Sequence, residues 1–459
     1  MSSIDISRFF AQGDGNAIDT AFASRRAVLP WRHRQAVDES EVPAVWSRLM
    51  SVRPAAPRQL AYIHVPFCAN HCLFCAFYRN AYTATDAATY TDHLVSEIER
   101  EAAEPAVRHG SIEAVYLGGG TPSALSADQL VRILGTIHKC LPLAPGCEIT
   151  LEGRIIHFDS GKIDACIEAG VNRISVGVQS FDTTVRRRQG RRADKDEAIR
   201  FLEDIRKRES VTLVVDLLYG LPGQTLEIWR EDLRIVGELE PDGVDLYGLN
   251  LIPGTPLQRA VSSGKLHPAP LQHLGAMYQT GATFLGDRGW RQISNSHWAR
   301  TPRERNLYNL RIKQGADCLA YGSGAGGTIG RYSYNLAGDL KRYQEVIAAG
   351  HKPIGGMSVS DDRIALRSYV TAGFEIGQLD LGGLAAPQLG DLRPLFTPLL
   401  DQWQHAGLLT RRGDEVELSI AGRFWYGNLI AAFDDLIAAT LPNADMRRPV
   451  VHLPIPEER

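Results

Sequence analysis

Three cysteines, Cys68, Cys72 and Cys75, stand in a C-x3-C-x2-C spacing inside Tyr62-Ile-His-Val-Pro-Phe-Cys68-Ala-Asn-His-Cys72-Leu-Phe-Cys75-Ala-Phe-Tyr78. Three thiolates on one tight loop suit an iron–sulfur cube with an open corner: soft sulfur holds three irons and leaves the fourth free. A free iron can chelate the amino and carboxylate groups of S-adenosylmethionine. An electron from the reduced cluster then breaks the sulfonium and leaves a 5′-deoxyadenosyl radical. A zinc knuckle is the competing use of these thiols, with His64 or His71 as a fourth ligand, but no partner cysteine pair follows downstream. The interleaved aromatics Tyr62, Phe67, Phe74, Phe77 and Tyr78 are either core or a water-excluding wall that stacks on an adenine.

The loop follows a short apolar run, 59–65, that reads as a strand. Five more such runs follow, at 114–117, 148–152, 173–178, 211–218 and 243–251. Most are short and apolar throughout, as strands buried on both faces are. Helical stretches alternate with them, at 87–103, 127–139, 162–169, 194–207 and 226–238. Six β/α units predict a parallel, barrel-like sheet with its chemistry at the carboxyl ends of the strands. The other polar candidates fall at those ends. Gly118-Gly-Gly-Thr121-Pro122 follows the second strand, where bare backbone lets a charged ligand approach, although a plain tight turn reads the same way. Glu152 ends the third strand, Gln179 the fourth, and Asp216 lies on the fifth.

Across 459 residues, 44% hydrophobic and 22% charged, the chain has an ordinary globular balance and length for two or three domains. A formal net charge of −3 gives no reason to expect nucleic acid or an anionic membrane as partner. No apolar run approaches a membrane span and no signal-peptide pattern opens the chain, so a cytoplasmic location is expected. Seven cysteines, an odd number with only three clustered, do not make a disulfide framework. Cys140, Cys147, Cys166 and Cys318 read as structural thiols, and the basic run 186–192 as a solvated face.

These motifs, in this order, resemble the radical S-adenosylmethionine enzymes of the HemN-like (coproporphyrinogen dehydrogenase) superfamily, from about Gln59 to the C-terminus. The resemblance implies a [4Fe-4S] cluster on Cys68, Cys72 and Cys75. It implies S-adenosylmethionine contacts from Phe74, Gly119, Gly120, Thr121, Glu152, Gln179, Arg191 and Asp216, and catalytic roles for Tyr62 and Glu152. The implied fold is α/β: a partial (β/α)6 barrel with a C-terminal winged-helix-like α+β domain. The expected division is an N-terminal arm over 1–55, the barrel and its extension over 56–350, and the C-terminal domain over 351–459.

Two departures choose among branches. Gly153-Arg154 stands where the decarboxylating and haem-chaperone branches resemble one another in an Asn-Pro pair. Arg305-Asn306-Leu-Tyr308-Asn309 lacks the histidine and tryptophan of the chaperones. The Glu152-Gly-Arg-Ile segment, with Ala21-Phe, Arg25-Arg26 and Pro30-Trp31-Arg32, looks most like the haem-utilisation (HutW/ChuW-like) branch. That likeness implies anaerobic opening of haem by a radical methyltransferase, with iron released, and a low-potential donor such as a flavodoxin-like protein. Oxidative decarboxylation of coproporphyrinogen and haem delivery without turnover remain the alternatives.

The rest carries weaker signals. The arm reads as weakly helical over 16–27 and packs across the next domain or over an active-site mouth. Residues 290–298 read as one strand. Residues 313–337, rich in glycine and tyrosine, could approach a flat ligand, and 336–350 reads as a linking helix. Helix, helix and hairpin are expected at 391–406, 408–420 and 421–439 in the order helix, hairpin, helix, then an extended tail from Pro442. His157 and His297 are candidate haem ligands, and Arg154, Arg300, Arg303 and Arg305 candidate propionate contacts.

Overall fold

The structure is a computed structural model and describes residues 5–28, 32–55, 58–386 and 390–440. Pro30 and Trp31 of the arm motif and the tail from Pro442 lie outside the described residues.

The expected alternation forms. Six parallel strands follow one another in both chain and sheet: β1 (Arg58–Val65), β2 (Ser111–Gly119), β3 (Leu143–Gly153), β4 (Arg173–Gln179), β5 (Thr212–Tyr219) and β6 (Gly243–Gly248). Most of their side chains are buried, nearly without a break in β1 and β5, which explains the apolar runs. The helices start on sequence-coded caps. Ser126 and Gln129 close a capping box on Ala127–Cys140, and Asp194 and Glu197 do so on Lys195–Arg206. On the first of these, Leu130, Ile133, Leu134 and Ile137 recur at helical spacing and are buried.

A seventh parallel strand, β7 (Asp317–Tyr321), pairs with β1 on its other side. It falls in the glycine- and tyrosine-rich stretch, most of which is sheet: Asp317–Tyr321, Gly326–Ile329 and Tyr332–Leu336. Gly327 on the next strand, Gly326–Ile329, shows why glycine is needed: a Cβ there would stand 2.6 Å from the Cys318 carbonyl oxygen. The region 290–298 is also corrected, being two short strands, Arg291–Gln292 and His297–Ala299, rather than one. Asn295 breaks the run, because its backbone N–H donates to Glu375 O and its side-chain amide to Phe374 O. The sheet holds thirteen strands among the described residues and is open, ending on Arg34–Ala36 and Arg291–Gln292. The linking helix is Leu340–Ala348, capped by Asp339.

Beyond it, helix Ile364–Ile376, strand Gln378–Asp380, helix Arg393–His405 and the hairpin Leu409–Arg412/Glu415–Leu418 give the winged-helix order, and Gly413 turns the hairpin at φ +63°. Helix Tyr426–Thr440 closes this unit, with Phe433 stacked on Phe396 at 4.2 Å. The arm is fastened here. Gln402 exchanges two hydrogen bonds with the Ala11 backbone, and the Trp403 and Trp425 indoles donate to Phe9 O and Ala17 O. Among the described residues no helix is long and apolar enough to cross a membrane.

Candidate functional site

The cysteine loop leaves β1 and folds back over the carboxyl ends of the strands. Phe67–Cys68 pairs with Asn80–Ala81, and the Leu73 and Asn70 groups donate to Gln189 O and Gly190 O. Each sulfur faces a polar partner. Thr121 Oγ1 lies 3.3 Å from Cys68 Sγ, the Arg154 guanidinium donates to Cys72 Sγ at 3.4 Å, and the Phe77 N–H donates to Cys75 Sγ at 3.3 Å. Burial pushes the Cys68 and Cys75 thiols up from their usual range. Thiols so placed become thiolates when a soft metal supplies the missing charge, which is the test a cluster site must pass. Both nearby histidines have one ring nitrogen engaged, while His64 Nε2 is buried without a hydrogen-bond partner among the described residues. His64 Nδ1 lies 3.1 Å from the Tyr62 hydroxyl, and His71 Nε2 lies 3.2 Å from the Cys75 carbonyl with its ring stacked on Tyr78. Among the described residues no group of three His, Cys, Asp or Glu side chains is arranged for a single metal ion.

Beside the sulfurs is a cavity of about 170 Å³. It is lined by the three cysteines and by every sequence-expected cofactor contact: Phe74, Gly119, Gly120, Thr121, Glu152, Gln179, Arg191 and Asp216. Gly120 has a packing reason, since a Cβ would stand 2.6 Å from Phe67 O, and Gly119 holds φ +106° with the His64 ring against it. Gly118 leaves room for Glu152: a Cβ would lie 3.0 Å from its Oε2. Glu152 accepts from the Tyr116 hydroxyl at 2.8 Å and from the Gly119 N–H at 3.3 Å. Burial raises its carboxyl. Asp216, held by Ser175 Oγ at 2.9 Å, is pushed up to about 8 by burial and by the Asp245 and Glu152 carboxyls. Two buried carboxyls that repel one another favour a cation between them. Across the cavity Arg191 donates to Gly177 O at 3.0 Å and lies over the Phe74 ring at 5.9 Å. Gln179 sits at φ +73°, a strained backbone at the cavity wall.

Tyr62 is placed differently. It does not line the cavity but packs in a triangle of rings with Tyr116 and Tyr308, at 6.4 and 6.2 Å from them. Burial holds its neighbour His64 down at about 4, so that imidazole is neutral. Asn70 and Ser175 line the cavity without having been singled out in the sequence. Ser175 was findable, because Ser175, Gly177 and Gln179 alternate on one face of β4.

The haem-ligand and propionate candidates move. Both nitrogens of His297 face carboxylates, Asp245 at 2.9 Å and Glu304 at 3.1 Å, so it is no axial ligand. His157 is exposed and does not line the cavity. Arg300 and Arg305 donate to Pro241 O and Gly146 O, near the opposite ends of the strands, and Arg303 is exposed. Arg154 lines the first cavity, where its guanidinium donates to Cys72 Sγ and Asn70 O.

The sequence model of the Radical SAM superfamily matches residues 62–236. Anaerobilin synthase of Escherichia coli O157:H7 is 44% identical over 448 residues, covering 97% of this chain and 98% of that one. Heme chaperone HemW of Bacillus subtilis (strain 168) is 26% identical over 381 residues, covering 81% of this chain and 98% of its own. The solved coproporphyrinogen III oxidase (HemN) of Escherichia coli, described as a radical SAM enzyme, superposes with a TM-score of 0.75 at 23% identity, covering 90% and 97% of the two chains.

Proposed function

We infer that this chain, which belongs to the HemN-like radical S-adenosylmethionine family, degrades haem without oxygen, opening the porphyrin ring and releasing iron. The observation that carries this reading is the 44% identity to anaerobilin synthase over nearly the whole of both chains. The finer steps are part of the same proposal: methyl transfer coupled to ring opening, a low-potential electron donor such as a flavodoxin-like protein, and a cytoplasmic location.

Cys68, Cys72 and Cys75 would hold a [4Fe-4S] cluster, and the cavity beside them would take S-adenosylmethionine. When bound, the two supply reductive cleavage of a carbon–sulfur bond, the source of radical reactivity. The protein's own part is positional. Glu152 and Asp216 offer carboxyls to a cationic or hydroxylated ligand edge, and the backbone at Gly119 and Gly120 lets that ligand come close. Phe74 and Arg191 form a flat wall, and the packed rings of Tyr62, Tyr116 and Tyr308 exclude water. Arg154 and the Phe77 N–H place donors on two of the sulfurs, where they would stabilise added negative charge.

Given haem, S-adenosylmethionine and a low-potential reductant without oxygen, the enzyme should lose the haem Soret band, release iron and give a methylated open tetrapyrrole by mass spectrometry. Coproporphyrinogen should yield no carbon dioxide. Intact haem with S-adenosylmethionine spared would replace this reading with haem delivery, and decarboxylation would replace it with coproporphyrinogen oxidation.

A second expectation concerns Glu152. Removing this charged contact costs about 2 kcal/mol, more than tenfold in cofactor affinity. Glu152→Ala should keep the cluster absorption and bind S-adenosylmethionine more weakly in anaerobic titration. Unchanged affinity would leave Glu152 as a partner of Tyr116 and Gly119 alone.

A further inference from the structure

We propose that a second cavity seats the tetrapyrrole and that Arg25 of the N-terminal arm grips its carboxylates; this rests on haem being the substrate. The cavity, about 270 Å³, opens where β5 and β6 end. It adjoins the first one across a single pair of residues: Asp216 lines the first cavity and its register partner Asp245 lines the second. Its aromatic walls come from distant parts of the chain, Tyr219 and Tyr247 from the sheet and Phe424 and Tyr426 from the C-terminal helices.

Arg25 is held in this wall from both sides. Asn428, only 5% exposed, accepts from the Arg26 N–H at 2.9 Å and donates to Ser24 O at 3.0 Å, so one amide brackets residue 25. Arg26 pairs with Asp435 at 3.2 Å, and a Cβ on Gly427 would stand 2.2 Å from Arg26 O. The Arg25 guanidinium then lies over Phe424 at 4.7 Å and hydrogen-bonds the Tyr219 phenol. It uses space that Gly248 leaves open: a Cβ there would stand 2.5 Å from Arg25 Nη1.

The cavity's other cations are engaged. Lys313 pairs with Glu375 at 3.7 Å, and Arg423 donates to Ile376 O at 3.0 Å. Arg25 has no carboxylate partner among the described residues. Tyr247, which lines the cavity, is 39% exposed, and Leu251 and Ile252, which follow the lining residue Asn250, are 37 and 38% exposed. Exposed apolar side chains beside guanidiniums that lack a carboxylate partner among the described residues, Arg25 and Arg423, complement a flat apolar ligand whose charge sits at one edge, as a porphyrin's propionates do. Arginine's planar fork binds such a carboxylate through two N–H groups.

The test is anaerobic titration of the full-length, cluster-reconstituted protein with haem in the absence of S-adenosylmethionine, followed by absorption. Arg25→Ala should weaken binding at least tenfold, and Arg25→Lys should restore only part because it lacks the fork. Haem dimethyl ester should bind the wild type as weakly as haem binds Arg25→Ala, with no further loss in the variant. Gly248→Ala, which displaces the guanidinium while keeping Arg25, should reproduce the loss and covers the case in which Arg25→Ala does not fold. Equal haem binding by wild type, Arg25→Ala and Gly248→Ala would overturn the carboxylate site and leave haem as substrate. A wild type that binds no haem would overturn the substrate reading and this site with it.

Discussion

Alanine at any one of Cys68, Cys72 or Cys75 should abolish the iron–sulfur absorption and end the cleavage of S-adenosylmethionine. The size of the effect follows from the ligand count. A cube with one open corner has three protein ligands, and no other cysteine lines the cavity to replace a lost one. Cys140→Ala and Cys318→Ala provide the contrast. Cys318 is buried on β7 with its sulfur 3.7 Å from the Tyr308 hydroxyl, and Cys140 ends helix Ala127–Cys140; neither lines the cavity. Both variants should keep the absorption and the cleavage. Iron and sulfide content, the visible spectrum and 5′-deoxyadenosine formation under strong reductant are the readouts. Reconstituted wild-type protein that held zinc and no iron would sink the cluster reading, and with it the function proposed above.

The parts of the site that were legible share a physical origin. Strands buried on both faces must be apolar throughout, so β1 to β6 were visible as runs, and their carboxyl ends marked where polar residues gather. The cysteine loop was legible because one cluster needs its thiols close in sequence. β7 was missed as a parallel neighbour of β1, since parallel pairing across more than 250 residues leaves no local trace. The hairpin at 291–299 was read as one strand because the signal lies in Asn295, whose partners Phe374 and Glu375 are far along the chain. His297 reads as a candidate ligand because Asp245 lies more than 50 residues before it and the turn that brings Glu304 back onto it leaves no local signal. Residues that act through neighbours in space, such as Arg25 under Asn428, belong to this class.

The second large effect lies beneath the cavity, in a buried ion network. Glu304 takes a paired contact from Arg173, with Nε at 2.9 Å and Nη2 at 3.1 Å, and stands 3.1 Å from His297 Nε2. His297 Nδ1 is 2.9 Å from Asp245, and all four residues are at most 3% exposed. Burial would drive His297 to the neutral form, but Asp245 and Glu304 outweigh it and raise the imidazole to about 10. Burial would likewise raise Glu304, but Arg173 and His297 hold it at about 2. Removing one partner strands the others without countercharge, so Glu304→Ala should cost about 3–5 kcal/mol of stability. It should also loosen the first cavity, because Arg173 precedes Ser175, Gly177 and Gln179 on the same face of β4. The pH dependence has a definite sign. A histidine raised from its unfolded value of about 6.5 to about 10 contributes fully below pH 6.5, and that stability is lost as pH rises toward 10. Glu304, lowered from 4.5, contributes above that value and fails only as pH falls through about 2. Urea midpoints measured from pH 6 to 10 should therefore fall with rising pH in the wild type. They should start lower and fall less steeply in Glu304→Gln, which keeps the side chain's shape without its charge. A wild-type midpoint unchanged across that range would show a neutral His297 and overturn the charge assignment of the whole network.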